Sequence, residues 1–211
     1  VSASGAWDSV ALSAQTARYG GYQDQSGYDQ QKATLRLDDN WGAWRVAGVL
    51  EGSQLDQETA GYIRGYEAYK DDGAREQNPN PEAYRNAWSA RGYLSLSRDW
   101  GGEGELTLRP YWRSNSMTFL QHYLPWQATE NNRHRSIGLQ ALASNTTGRL
   151  DWYAGVDVDR TEGSLLETQA EFFSPNQPDG IHYDYDVDAN TLAGFSHLQW
   201  ALSDSWQLDG G

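Results

Sequence analysis

The links between the alternating apolar–polar stretches of this chain are themselves alternately short and long, and that rhythm constrains the fold more than any motif. The short links are Asp39–Trp41, Arg98–Gly102, Asn145–Gly148 and Ser203–Ser205. The long ones are Arg18–Gly27, Gln54–Arg85, Ser116–His134 and Glu162–Asp188. Tight turns at one end and long loops at the other characterise an antiparallel up-and-down β-barrel that crosses an outer membrane, with turns on the periplasmic side and loops outside. A β-sandwich has no reason to keep every second link tight, and it spaces its strands more evenly.

The expected strands are Gly5–Ala17, Tyr28–Asp38, Gly42–Ser53, Asn86–Ser97, Glu103–Ser114, Arg135–Ser144, Arg149–Thr161 and Ala189–Leu202, with a ninth beginning at Trp206 and cut off at Gly211. Successive strand residues point to opposite faces, so parity sorts the side chains. In Glu103–Ser114, Leu106, Leu108, Pro110 and Trp112 oppose Glu105, Thr107, Arg109, Tyr111 and Arg113. In Arg149–Thr161, Leu150, Trp152, Ala154, Val156 and Val158 oppose Asp151, Tyr153, Gly155, Asp157 and Asp159. The apolar parity suits lipid and the polar parity a wet lumen. As lumen residues, Arg36, Arg91, Arg109 and Arg113 are expected to pair with Glu105, Asp157 and Asp159.

Composition agrees. Hydrophobic residues are 38% of the 211, low for a soluble core, yet aromatics are 13%, too many for a disordered chain. No apolar run reaches about 18 residues, so no transmembrane helix is expected. Val1–Val10 has neither the basic start nor the apolar stretch of a signal peptide. There is no cysteine, hence no disulfide and no thiolate chemistry. A net charge of −13 argues against binding a nucleic-acid backbone. Trp41, Trp44, Trp100, Trp152, Trp200 and Trp206 crowd near the short links, as an aromatic girdle at one membrane boundary would place them.

Three segments carry a family resemblance: Gly65–Trp88 (GYEAYKDDGAREQNPNPEAYRNAW), Phe119–Gln140 (FLQHYLPWQATENNRHRSIGLQ), and Gly180–Asp188 (GIHYDYDVD) with the strand after it. Together they make the chain, from about Gly5 to Trp206, resemble the barrel of TonB-dependent outer-membrane receptors. The resemblance implies a barrel of about 22 strands filled by an N-terminal plug. It implies import of a ferric siderophore, haem or a vitamin, with energy delivered through TonB. The sequence contains neither plug nor TonB box and ends in Asp-Gly-Gly rather than an aromatic terminal strand. Residues 1–211 are therefore expected to be an internal portion of a receptor barrel domain, about eight complete strands long. Its partners would be outer-membrane lipid, an iron chelate, and the TonB complex through the missing plug.

Candidate ligand contacts lie in the long links. His122 and His134 flank Ser116–His134, with Tyr123, Trp126 and Arg133 beside them. Aromatic faces stack, and Arg pairs with carboxylate or ferric-chelate anions. His182, Tyr183 and Tyr185 form a second group in Gly180–Asp188. Asp184, Asp186 and Asp188 add cation-binding oxygens there, but their alternation with Tyr fits the start of a strand, and neither a metal nor a cofactor is expected. Two short helical pieces are expected, at Glu82–Trp88 after Pro81 and at Ser164–Phe173, where Ser164 and Glu167 have capping-box spacing. No Gly-x-Ser-x-Gly elbow and no Gly-rich phosphate loop occurs, so the chain reads as a non-enzyme. Two other readings stay open: a complete eight-stranded membrane barrel serving as anchor or adhesin, and a secreted aromatic-rich β-sandwich that binds carbohydrate.

Overall fold

The computed structural model describes residues 1–120 and 125–211. They form one 10-stranded antiparallel sheet in which every strand pairs only with its sequence neighbours. The strands are β1 (Ser2–Trp7), β2 (Val10–Tyr19), β3 (Tyr28–Trp41), β4 (Trp44–Glu58), β5 (Tyr84–Asp99), β6 (Glu105–Leu120), β7 (Thr129–Thr147), β8 (Leu150–Gln169), β9 (Gly180–Ser203) and β10 (Trp206–Gly210). The sheet is a section of wall and is not closed. Among the described residues there is no second layer, which removes the two-sheet sandwich, and their ten strands exceed the eight of the small barrel.

The short–long alternation holds throughout. Two-residue turns close Trp7↔Val10, Trp41↔Trp44 and Thr147↔Leu150. Such tight hairpins need a left-handed residue, supplied by Gly42 (φ 64) and Gly148 (φ 63). The first of these turns corrects the expected single strand Gly5–Ala17. Asp8, at φ 31, bends the chain there without a glycine, so β1 and β2 are two strands.

Pairing also overrides both expected helices. Ser164–Phe173 is not helical: β8 runs on to Gln169, bonded on one side to β7 and on the other to β9. Glu82–Trp88 enters β5 at Tyr84. The helix of that long link is α1 (Asp72–Glu76), where the Asp71 side chain accepts hydrogen bonds from the Gly73 and Ala74 N–H groups at 2.9 Å. The long links are also shorter than expected, spanning 20–27, 59–83, 121–128 and 170–179.

The expected parity is clearest on β6, β7 and β8, whereas β4 carries Ala47 and Val49, and β9 carries Ala193 and Phe195, on the polar face. The residues Leu108, Ala141 and Val156 lie side by side, as do Leu139, Val158 and Leu192. Buried hydrophobic residues among those described are only Val46, Ala83 and Ala128, while Ile137 is 63% and Leu192 76% exposed. A sheet this apolar on one side and this exposed is stable only against a second apolar medium.

That apolar band crosses the hydrogen-bonded rows obliquely. One row runs Ala14, Ala33, Gly52, Ala90, Ser114, Arg135, Glu162, Asp188 across β2 to β9. It is apolar on β2 and charged on β8, where the band begins lower, at Val158. A band level with a membrane must cut the rows in this way when the strands are tilted, as closure of a barrel requires.

The opposite face is polar and internally paired. Arg91 meets Glu51 at 2.9 Å, and Arg45 meets Asp99 at 3.0 Å and Glu105 at 2.5 Å. Arg113 lies 3.9 Å from Asp159, as expected, whereas Arg109 stacks over the Tyr93 ring. Asp159 also accepts from Tyr111 (2.5 Å) and Thr161 (2.6 Å).

Candidate functional site

About 9–11 residues of tilted strand cross a membrane. β8 has 20 residues and β9 has 24, so on the long-link side the wall continues well beyond the apolar band. This tall margin and the links above it hold most of the candidate residues.

On β9, Tyr183 and Tyr185 share the polar face with Glu167 and Leu165 of β8, the residues they pair with. His134 and Ser136 of β7 continue that face downward, and Ser136 contacts both His134 (3.4 Å) and Thr161 (2.7 Å). Tyr183 and Tyr185 remain 57% and 49% exposed, with their rings free to stack. Arg133, by contrast, lies on the apolar-side face beside Ser116 and Ser164, so the wall separates it from His134. His122 and Tyr123 lie outside the described residues. Trp126 packs against Phe173 at 5.9 Å, joining the 121–128 and 170–179 links.

His182 is a tie rather than a free contact. Its Nδ1 lies 3.1 Å from a Glu167 carboxylate oxygen and its Nε2 2.8 Å from the Pro178 carbonyl. Both partners are acceptors, and only the imidazolium has two N–H groups to give. The Pro178 hydrogen bond, opposed by desolvation and supported by Glu167, holds the His182 pKa above the usual imidazole value. Extension of β9 places Asp184, Asp186 and Asp188 in line on the other face. Among the described residues no group of three or more His, Asp or Glu side chains is arranged to hold a metal ion.

Local polarity gave no sign of several participants. Glu167 was legible only as a helix cap, and Phe173 only as one aromatic in a link. The links are also tied to one another. Asn78 Nδ2 donates to the Gln25 carbonyl (2.9 Å) and Gln23 Nε2 to the Gln77 carbonyl (2.8 Å), while Gln127 donates to Glu82.

At the short-turn end, Trp41 and Trp44 pair across Gly42–Ala43, and Trp200 pairs with Leu150. Trp100 donates to the Ser144 carbonyl and meets the Trp152 ring edge-on at 6.2 Å. Trp206 pairs with Ser203, and Trp7, hidden in the sequence by the unexpected first turn, joins the same margin.

An oblique apolar band, a paired polar face and links of alternating length specify one kind of object. The fold is that of a section of an up-and-down β-barrel wall. Among solved structures the chain is similar to the ferric yersiniabactin uptake receptor FyuA from Yersinia pestis, with a TM-score of 0.68 at 16% identity, over 99% of this chain and 34% of the receptor chain. It is similar also to FpvAI in its complex with pyocin S2, with a TM-score of 0.75 at 8% identity, over 95% of this chain and 32% of that one. The chain thus spans about a third of the length of these neighbours. No family model and no curated protein sequence matches it.

Proposed function

We propose that this chain is part of the barrel wall of an outer-membrane active-transport receptor that imports a ferric siderophore or a similar scarce nutrient with energy from TonB. The observation that carries the reading is the division of the wall. Its apolar face fits lipid, its polar face fits a water-filled or plugged lumen, and its tall margin presents Tyr183, Tyr185 and His134 toward the lumen side. Exposed aromatic rings above a polar lumen are suited to the apolar or aromatic surface of an organic chelate, and FyuA, which the fold resembles, takes up ferric yersiniabactin. Trp41, Trp44, Trp100, Trp152, Trp200 and Trp206 would form the periplasmic-side girdle. Energy transfer would pass through a plug bound by the polar face.

The test is growth on defined iron sources after deletion of the gene that encodes this chain. Loss of growth on one ferric chelate, restored by the wild-type gene and not by Tyr183→Ala/Tyr185→Ala, supports the reading. Unchanged growth and unchanged uptake of every iron chelate and vitamin offered overturns it.

A further inference from the structure

We propose that the outer wall around β8 is a two-fold interface between two copies of this protein in one membrane. The proposal rests on the membrane orientation given above and goes beyond the transport reading. The edge of the apolar band sets the frame: Ile137 on β7, Val158 on β8 and Leu192 on β9 are the last apolar residues of that face. The next residues outward on it are Arg135, Arg160 and Asn190, and the ones after them are Arg133, Glu162 and Asp188. Asp186 and Asp184 follow on β9. Just above the band the wall is therefore cationic on β7, mixed on β8 and anionic on β9.

These charges balance without all meeting. Glu162 pairs with Arg135 at 3.5 Å and with Arg160 at 3.0 Å, whereas among the described residues Arg133, Asp186 and Asp188 form no ion pair. Register explains why. Arg133, Ser164 and Asp186 lie in one hydrogen-bonded row, so β8 holds the β7 guanidinium and the β9 carboxylates two strand spacings apart, about 10 Å. The result is a lateral dipole with little net charge. On β2 the same arrangement is absent, because Arg18 is matched by Asp29 at 3.5 Å within the wall.

A lateral dipole on a convex wall is complementary to itself. When two copies face each other across an axis normal to the membrane, β8 meets β8, and β7 of each copy meets β9 of the other, as an isologous contact requires. Residues of equal height then come together. Arg133 faces the partner's Asp188, and Arg160 and Glu162, next to the axis, alternate with the same pair of the other copy in a ring of four charges. One step lower, Ile137 meets the partner's Leu192. In the single wall these two stand 63% and 76% exposed on either side of Val158, which is 39% exposed. The shape also fits. A recess of about 620 Å³ lies among Arg133, Arg135, Ser116, Glu162 and Asp186, and receives charged side chains of the second copy. A second recess, of about 360 Å³, lies toward the band beside Trp112 and Ile137 and receives an apolar one. Charge meets opposite charge and apolar meets apolar at each height, which gives an interface its register.

The test uses the full-length protein that carries this chain, inserted in phosphatidylcholine vesicles, with subunits counted by single-molecule photobleaching over a dilution series in lipid. Wild type should dimerise. Arg133→Asp and Asp188→Arg, neither of which breaks an ion pair within the wall, should each weaken the dimer about a hundredfold, tenfold for each of the two symmetric contacts. Mixing the two variants should restore wild-type affinity, because a dimer of one with the other has opposite charges at both contacts; a folding defect would not be rescued in this way. Inserted wild type that stays monomeric throughout the series overturns the interface. So does a dimer that neither reversal weakens, or that mixing does not restore. A photoreactive residue in place of Ser164 should give, in outer membranes, a product of twice the monomer mass; crosslinking only to lipid or to a different protein overturns the second copy as the occupant. Failure to float with the vesicles, scored before any counting, refutes the orientation itself and is thereby distinct from an inserted monomer.

Discussion

A single arginine can decide whether the apolar face lies against lipid. Val156 is near the middle of the band on β8, between Trp152 and Val158, and is laterally paired with Ala141 and Gly194. Its neighbour Asp157 points to the polar face. Arginine near the bilayer midplane on the lipid side of a barrel costs about 2–4 kcal/mol, falling to about 0–1 kcal/mol near the interface. Val156 is 40% exposed in the isolated wall, and in water a surface change at such a position would stay within about 0.5 kcal/mol. Val156→Arg should therefore shift the folding equilibrium in vesicles by about 30-fold or more. Asp157→Arg on the polar face, and Thr16→Arg just above the band on β2, should each cost no more than about 1 kcal/mol. The assay is reversible unfolding of the full-length protein in phospholipid vesicles by denaturant, followed by heat-modifiable migration. Equal midpoints for Val156→Arg and Asp157→Arg would refute the assignment of faces.

Other expectations follow from particular contacts. A Cβ on Gly138 would sit 2.3 Å from the Tyr111 ring, so Gly138→Ala must displace the ring and its bond to Asp159; a loss of about 1–3 kcal/mol in the same unfolding assay is expected, and no change would disprove the packing. The raised His182 pKa means that its tie to Glu167 and Pro178 contributes fully below about pH 6.5 and is lost as pH rises through the higher folded value. Hydrogen exchange in 170–179 should accordingly quicken with pH beyond the intrinsic rate, and His182→Gln should abolish that extra dependence. Tryptophan emission should be quenched by lipids brominated near the head group, and replacing Trp41, Trp44, Trp152 and Trp200 by Phe should remove most of the periplasmic-leaflet component; quenching that survives intact would place the girdle elsewhere.

Legibility in the sequence followed the environment of each segment. Where one face is apolar and the other polar, as in Leu106–Trp112 or Trp152–Val158, alternation is enforced residue by residue and parity could be read directly. Above the band both faces are polar and the apolar–polar alternation lapses, so Ser164–Phe173 read as a short helix although β8 continues to Gln169, whereas in Gly180–Asp188 the alternation of Tyr with Asp fitted the start of a strand, as β9 shows. Ser164 and Glu167 satisfy a local capping pattern, but hydrogen bonds to strands on both sides outweigh it. Asp8 turned the chain without Gly or Pro, so nothing in Gly5–Ala17 announced a hairpin. For the ligand-side residues, position along the chain was visible but face was not. Only the register separates His134 from Arg133, and only the β8–β9 pairing joins His182 to Glu167.

The height of β8 and β9 has an evolutionary corollary. In the proposed orientation about 9–11 residues of each strand would insert, and roughly ten more at about 3.3 Å each would lift the loop tips some 20 Å clear of the bilayer at a 45° tilt. Residues there are held by their neighbours in the ladder and lie outside the apolar band. In the proposed orientation, substitutions in this upper part of the wall leave the apolar band that must insert unchanged.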